Sequence, residues 1–339
     1  MAPKNTAAFL PEAKSTLTIA EKPYPTAGDN EIVVKVAAAA INPMDWFIQL
    51  LGAQLFPWLQ YPYTPGSDIA GTVEQVGAGV AAFEPGDRVL GLAAGFESRA
   101  GGFQTYCAIP ASLASPLPAN LAFTDAAVLP LGLATAAAGL YQKDYLALTY
   151  PTPDSPRPTG KTLLVWAGAS SVGSNAIQLA VASGYAVFTT ASPKNFAYCK
   201  ALGAARVFDY HSATVGAELL AAFEGTTCAG GFAIQRGCEE TVFDVVLRSD
   251  GAKVVACAMP VPPTKPDGIK ANFIFASTIK DNEVGPMIYN RYLPAALAAG
   301  KYQCAPPPKV VGHGLEKVQE GYDVGKRGGV SAEKLVVTL

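Results

Sequence analysis

The run Lys161-Thr162-Leu163-Leu164-Val165-Trp166-Ala167-Gly168-Ala169-Ser170-Ser171-Val172-Gly173 (KTLLVWAGASSVG) decides the fold. Thr162–Trp166 is an uninterrupted apolar strand, the pattern of a strand covered on both faces by helices. Gly168, Ser170 and Gly173 then fall at the spacing of GxGxxG, with serine in the middle. A small-residue helix follows from about Ser171 to Ser183 and is closed by Gly184. Such a turn suits a pyrophosphate: tight after the strand, close to the backbone, with helix N-terminal N–H groups pointing outward. Gly168, Ser170, Ser171, Val172 and Gly173 are therefore candidate cofactor-binding residues. Taken alone the fingerprint also describes an ordinary tight strand–helix turn; its setting favours a dinucleotide. A P-loop would need Lys after the second glycine, where Ser174 stands. A nucleophile elbow would need glycine two places after Ser170, where Val172 stands.

Outward from this turn the alternation continues. Tyr185–Thr190 reads as a strand, Pro193–Leu202 as a helix, Arg206–Tyr210 as a strand and Ala217–Phe223 as a helix; Lys253–Cys257 and Asn272–Ala276 read as later strands. That order indicates a doubly wound parallel sheet. NAD-preferring sites carry Asp or Glu about 20 residues past the glycines to bind the ribose 2′-hydroxyl. Here no acidic residue lies between Asp154 and Asp209, and the second strand ends Thr189-Thr190-Ala191-Ser192-Pro193-Lys194. A hydroxyl and an ammonium suit a 2′-phosphate, and Tyr210 offers a third hydrogen bond. The cofactor expected is NADPH. Cys257, ending a later strand, joins the candidate cofactor set.

The chain has 339 residues, enough for about two domains. With 50% hydrophobic and 15% charged residues it is neither disordered nor a polyelectrolyte. Twenty-five basic and 27 acidic side chains give a net charge of −2, and no basic cluster invites nucleic acid or an anionic membrane. Thr162–Pro193 lacks any charge, yet Ser170, Ser171, Ser174, Asn175 and Gln178 interrupt it, so it does not read as a membrane span. Six dispersed cysteines without a CxxC pair read as reduced thiols, and the N-terminus lacks an apolar signal core; a soluble, cytoplasmic protein is expected. Only His211 and His313 are available for imidazole chemistry. The first 125 residues read as β-rich and barrel-like, with strands at Glu31–Ala40, Ile69–Val76 and Arg88–Leu92. Four prolines make residues 151–158 an extended connection. Beyond 280 a helix near 286–299 and a terminal strand, Lys334–Leu339, are expected, the strand returning to the first domain.

Asn42-Pro43-Met44-Asp45-Trp46, Pro65-Gly66-Ser67-Asp68-Ile69-Ala70-Gly71, Val76-Gly77-Ala78-Gly79-Val80, Pro85-Gly86-Asp87-Arg88-Val89, Ala134-Thr135-Ala136-Ala137 and Gly328-Gly329-Val330-Ser331 with Lys334-Leu335-Val336 together resemble the medium-chain dehydrogenases/reductases. The resemblance is greatest to the zinc-independent quinone-oxidoreductase-like branch that includes fungal trans-acting enoyl reductases. It implies an α/β protein with a GroES-like β-rich domain (1–129 and 280–339) and a Rossmann domain (130–279). Zinc-containing members would carry Cys and His where Met44–Asp45 and Ser67–Asp68 stand, and only Cys107 lies where a structural-zinc lobe needs four cysteines; no metal is expected. Without that Lewis acid, reduction of a conjugated C=C is favoured over alcohol oxidation, with a hydrogen-bond donor for the enolate oxygen.

The resemblance places Asn42 and Thr135 near the nicotinamide or substrate as candidate catalytic residues. Their plain alternatives are a loop-capping Asn before Pro43 and a helix-interior Thr bonded to its own backbone. Lys334 is a candidate cofactor contact or a strand-edge lysine, and Asp68 a structural cap or a partner of Arg88. Phe47 stands where many fungal enoyl reductases carry lysine, which points to different or more apolar substrates. Gln49, Phe56, Trp58, Tyr61 and Tyr63 form either core packing or a pocket wall. Solvent is the expected proton donor. Expected partners are a small enone, quinone or enoyl thioester and, in a fungal setting, a synthase; the protein would be a monomer or homodimer. Carbonyl reduction, or cofactor binding without catalysis, stands as the alternative.

Overall fold

The computed structural model describes residues 3–339. Strands β1 (Asn5–Phe9), β2 (Thr18–Lys22), β3 (Glu31–Ala40), β4 (Asp68–Val76), β5 (Arg88–Leu92), β6 (Tyr106–Pro110) and β7 (Ala114–Pro116) come first. β8 (Lys161–Val165), β9 (Ala186–Ala191), β10 (Arg206–Asp209), β11 (Thr227–Ala233), β12 (Val254–Cys257) and β13 (Lys270–Phe273) follow, and β14 (Pro308–His313) and β15 (Lys334–Thr338) close the chain. The principal helices are α1 (Pro43–Leu51), α2 (Phe123–Ala126), α3 (Pro130–Tyr141), α4 (Ser171–Ala182), α5 (Phe196–Ala201), α6 (Val215–Phe223), α7 (Glu239–Arg248), α8 (Val284–Pro286), α9 (Leu293–Ala298) and α10 (Lys317–Arg327). Two compact units result: residues 1–131, 289–298 and 304–339, and residues 132–288 with 299–303.

In the second unit six strands run in the order β10-β9-β8-β11-β12-β13, every neighbouring pair parallel. This is the 3-2-1-4-5-6 order of a Rossmann sheet, which changes direction beside its first strand and leaves a crevice at the strands' carboxyl ends. β8 is buried from Thr162 to Val165, as its unbroken apolar run requires. The aromatic and aliphatic core of this unit includes Leu164, Phe188, Leu219, Phe232, Val242 and Val255, each at most 6% exposed.

In the first unit β3 is the central strand, antiparallel to β4, β6 and β15, within the sheet order β14-β15-β3-β4-β5-β7. Ile32, Val34, Ile69, Val89, Ile109 and Val337 fill the core beneath it. Residues 123–141 include an apolar helical stretch long enough to cross a membrane, but 72% of its most hydrophobic window is buried inside the fold, as in a core helix.

Several expected elements differ. The helix expected at Pro193–Leu202 is α5, preceded by a 3-10 turn, and the helix expected near 286–299 is interrupted between α8 and α9. β11 and α7 carried no expectation. The strand expected at Asn272–Ala276 is Lys270–Phe273. Residues 280–288 and 299–303 belong to the parallel-sheet unit rather than to the β-rich one, because side chains tie those segments there. Asn282 Nδ2 donates to Thr278 O at 3.0 Å, while Thr278 accepts from Gln142 at 3.0 Å. Tyr302 Oη donates to Asn175 Oδ1 at 2.6 Å, and Gln303 N to Gln178 Oε1 at 2.8 Å.

Candidate functional site

The nucleotide-binding turn is built by strand β8 handing over to α4. Ala167 N–H donates to Thr190 Oγ1 at 3.0 Å and Gly168 N–H to Thr190 O at 2.9 Å, which holds the turn against the neighbouring strand. A Cβ on Gly168 would lie 2.2 Å from Thr189 Oγ1, and one on Gly173 would lie 2.2 Å from Ala167 O. Only glycine lets the helix start this close to the turn. Ser170 caps α4: its Oγ accepts from Gly173 N–H at 3.0 Å and donates to Ala167 O at 2.7 Å. Its hydroxyl proton is therefore committed to the protein, which corrects the expectation that it would bond a phosphate. Among the described residues the amides of Ser171 and Val172 take no protein acceptor. Those free donors, at the positive end of a 12-residue helix, fit a pyrophosphate.

Ser192, Lys194 and Tyr210 gather at the ends of β9 and β10. Ser192 Oγ donates to Tyr210 Oη at 3.2 Å, and Lys194 is exposed without an ion-pair partner among the described residues. The nearest acid in sequence, Asp209, is turned to His211, accepting its N–H at 3.0 Å. Two hydroxyls and an unpaired ammonium fit a 2′-phosphate. Cys257 does not fit its expected role. Its side chain is fully buried in the hydrophobic core, where burial and Glu239 push the thiol up to about 12, and its carbonyl accepts Ile274 N–H at 2.8 Å. Thr135 lies half-buried on α3.

The first unit holds a separate polar cluster, assembled by strand register. β15 pairs Val336 with Ala40, so Lys334 arrives opposite Asn42; β4 pairs Asp68 with the same Ala40. Three side chains 4% exposed or less thus meet at one end of the sheet. Lys334 Nζ lies 2.9 Å from Asp68 Oδ2 and donates to Asn42 Oδ1 at 2.5 Å, while Asn42 Nδ2 donates to Asp68 Oδ2 at 2.8 Å. Asp68 Oδ1 accepts Leu131 N–H at 2.5 Å. Asn42 is consequently locked, its oxygen toward the cation and its nitrogen toward the anion, with one Nδ2 hydrogen left over. It sits at the N-cap of α1, but the carboxylate that closes this end belongs to Asp45, which accepts Asn42 N–H at 2.7 Å.

Asp45 is 1% exposed. Burial, and after it the nearby Asp68, raise its carboxyl to about 7 against the lowering effects of the Asn42 N–H and Lys334. Arg88 is not the partner of Asp68. It stands opposite Thr72, four residues along β4, or about 13 Å away, and donates to the carbonyls of Pro118, Ala119 and Leu121. Nor is Lys334 a solvated strand-edge lysine. Among the described residues no group of three or more His, Cys, Asp or Glu side chains is disposed to hold a metal.

The aromatic segment after α1 divides. Gln49, Phe56 and Tyr63 are buried, whereas Trp58 is 57% exposed. Gln49 bonds Ser15 O and Gln319. Phe47 is half-buried with its ring 4.1 Å from that of Trp46.

Residues 28–119 match the alcohol dehydrogenase GroES-like domain. Over 99% of both chains the sequence is 51% identical to dehydrogenase azaJ of Aspergillus niger. The chain belongs to the medium-chain dehydrogenase/reductase superfamily. Within it lies the trans-enoyl reductase himH of Aspergillus japonicus, 39% identical over 99% of this chain and 97% of its own, and the present chain falls in that enoyl reductase branch. A mycobacterial protein solved with NADPH superposes with a TM-score of 0.73 at 25% identity, covering 99% of this chain and 100% of the other. As a medium-chain dehydrogenase/reductase the protein is an oxidoreductase that binds a nicotinamide cofactor. The free amides of α4 are the residues present that fit that group's pyrophosphate.

Sequence reasoning singled out Asn42, Asp68 and Lys334 without seeing that they touch, and gave Asp45 no role. Asp45 could have been suspected as the acid three residues after the N-cap. The ion pair across 266 residues has no local signal.

Proposed function

We propose that this oxidoreductase uses NADPH, without zinc, to reduce activated C=C bonds of enones or enoyl thioesters, or quinones. The observation that carries the reading is the phosphate corner: Ser192 bonded to Tyr210 beside Lys194, which has no ion-pair partner among the described residues, with the neighbouring Asp209 carboxylate engaged by His211. The name of the Aspergillus japonicus relative supports the C=C acceptor.

When bound, the nicotinamide supplies a hydride to the β-carbon, and the chain's residues manage binding and charge. Ser171 and Val172 N–H groups hold the pyrophosphate, while Ser192, Lys194 and Tyr210 hold the 2′-phosphate. The remaining Nδ2 hydrogen of Asn42 bonds the oxygen on which enolate charge collects. Its orientation is fixed beforehand by Asp68 and Lys334, so no reorganisation is needed as charge develops. Water delivers the proton to the α-carbon, giving the saturated product and oxidised cofactor.

The test is steady-state oxidation of NADPH against NADH with a panel of enones, quinones and enoyl thioesters. Turnover of an enone to the saturated carbonyl, with NADPH preferred at least tenfold, is expected. Allylic alcohol from an unsaturated aldehyde, or no turnover with any acceptor, would overturn the acceptor assignment; equal use of NADH would overturn the cofactor assignment.

A further inference from the structure

Apart from the Asn42 cluster, the first unit has an open cavity of about 500 Å3 lined by Trp58, Tyr61, Pro62 and Phe96 together with the polar Gln60, Glu97 and Ser98. Its rings are held in place from behind. Phe56, 6% exposed, lies 5.5 Å from Trp58 and 5.1 Å from Phe96 between centroids, and Trp58 meets Phe96 edge-on at 6.1 Å and 87°. Tyr61 is backed by Gly52, where a Cβ would lie 2.4 Å from the Tyr61 hydroxyl. The two loops forming the walls are tied together by Ser98 Oγ donating to Pro62 O at 2.8 Å. Arg99 braces the second loop through Glu97 at 3.0 Å and a two-pronged bond to Glu31 at 2.7 and 2.8 Å.

Trp58 is 57% exposed although its ring packs on Phe56 and Phe96, so one side of the indole stays open to the cavity. The size lies within the range that accommodates a small organic ligand. No Lys, Arg or His lines the cavity, and its one charged lining residue, Glu97, is paired with Arg99 behind it, so the lining itself offers an anion no cationic partner. We propose that this cavity binds the planar, uncharged, conjugated part of a small molecule, an aryl or polyene system stacking on Trp58 and Phe96. Identifying that molecule with the acceptor of the reaction rests on the reductase reading; binding itself does not.

Benzylideneacetone, a neutral aryl enone, is the probe and cinnamate its anionic counterpart, both measured by calorimetry on the full chain without cofactor. Benzylideneacetone binding at least tenfold tighter than cinnamate is expected, weakened at least tenfold by Trp58→Ala and by Phe96→Ala. Trp58 is largely exposed, so its variant should keep the wild-type urea midpoint, and Trp58→Phe should restore part of the affinity. Equal affinity of wild type and Trp58→Ala for benzylideneacetone, or preference for cinnamate, would overturn the proposal. Turnover of a short aliphatic enone is read separately, in the wild type, and its absence bears on the reductase reading alone.

Discussion

Replacing Lys334 by Met leaves the Asp68 carboxylate, 0% exposed, without its cation. Breaking a buried pair from one side costs roughly 3–5 kcal/mol, because the remaining charge stays desolvated. Here Asp68 keeps two donors, Asn42 Nδ2 and Leu131 N–H, so the loss should sit near the lower end, about 3 kcal/mol. Asp68→Asn should cost a similar amount by stranding the ammonium. The double variant removes both charges and still offers Leu131 an acceptor, so it should be at least about 2 kcal/mol more stable than the sum of the single losses implies. Urea unfolding followed by fluorescence in a Trp166→Phe background reports on Trp46 and Trp58, both in the unit that contains the pair. A Lys334→Met loss below about 1 kcal/mol, or strict additivity in the double variant, would refute the claim that this pair organises the cluster.

Asp45 carries the pH prediction. Folded, its carboxyl holds its proton to about pH 7, against an ordinary value of 3.8. Between these values the native state binds more protons than the unfolded one, so stability falls as pH rises from about 4 to 7, by at most about 4 kcal/mol. Asp45→Asn should remove that slope, the variant gaining on the wild type as pH rises; parallel stability curves would refute it. Lys194→Ala should weaken NADPH binding about 10–100-fold, the worth of one charged hydrogen bond, and leave NADH binding within twofold; fluorescence titration of both coenzymes decides. Gly173→Ala forces a Cβ to within 2.2 Å of Ala167 O and should cost about 1–3 kcal/mol together with NADPH binding. Normal coenzyme affinity in a variant of wild-type thermal stability would refute that account. Asn42→Ala should lower kcat about 100-fold, as loss of an oxyanion donor does, with NADPH affinity unchanged; a matching loss of coenzyme affinity would count against the assigned role.

Much of the Rossmann half of the chain was legible, although β11, which pairs with β8, and α7 were not foreseen. An apolar run covered on both faces, glycines at fixed offsets and a helix closed by Gly184 are local patterns, and β8, α4 and β9 lie within a residue or two of where they were expected. The β-rich half was legible in part: Glu31–Ala40 and Arg88–Leu92 emerge with the expected bounds. The roles of individual side chains were less so. Ser170 looks like a phosphate donor until its cap bonds are seen, and Cys257 reads as a strand-end contact until its burial is known.

Local spacing by itself therefore determined the strand–turn–helix, the missing acid after β9 and the small residues at the turn, because backbone geometry and charge type act over a few neighbouring residues. Tertiary structure alone decided that Asn42, Asp68 and Lys334 share one buried knot, and that of the aromatic segment Trp58 is exposed while Phe56 and Tyr63 are not. Those outcomes depend on the register in which β15 and β4 meet β3. A one-residue slip in that register would turn every side chain to the opposite face, and nothing in the spacing of residues so far apart along the chain encodes it.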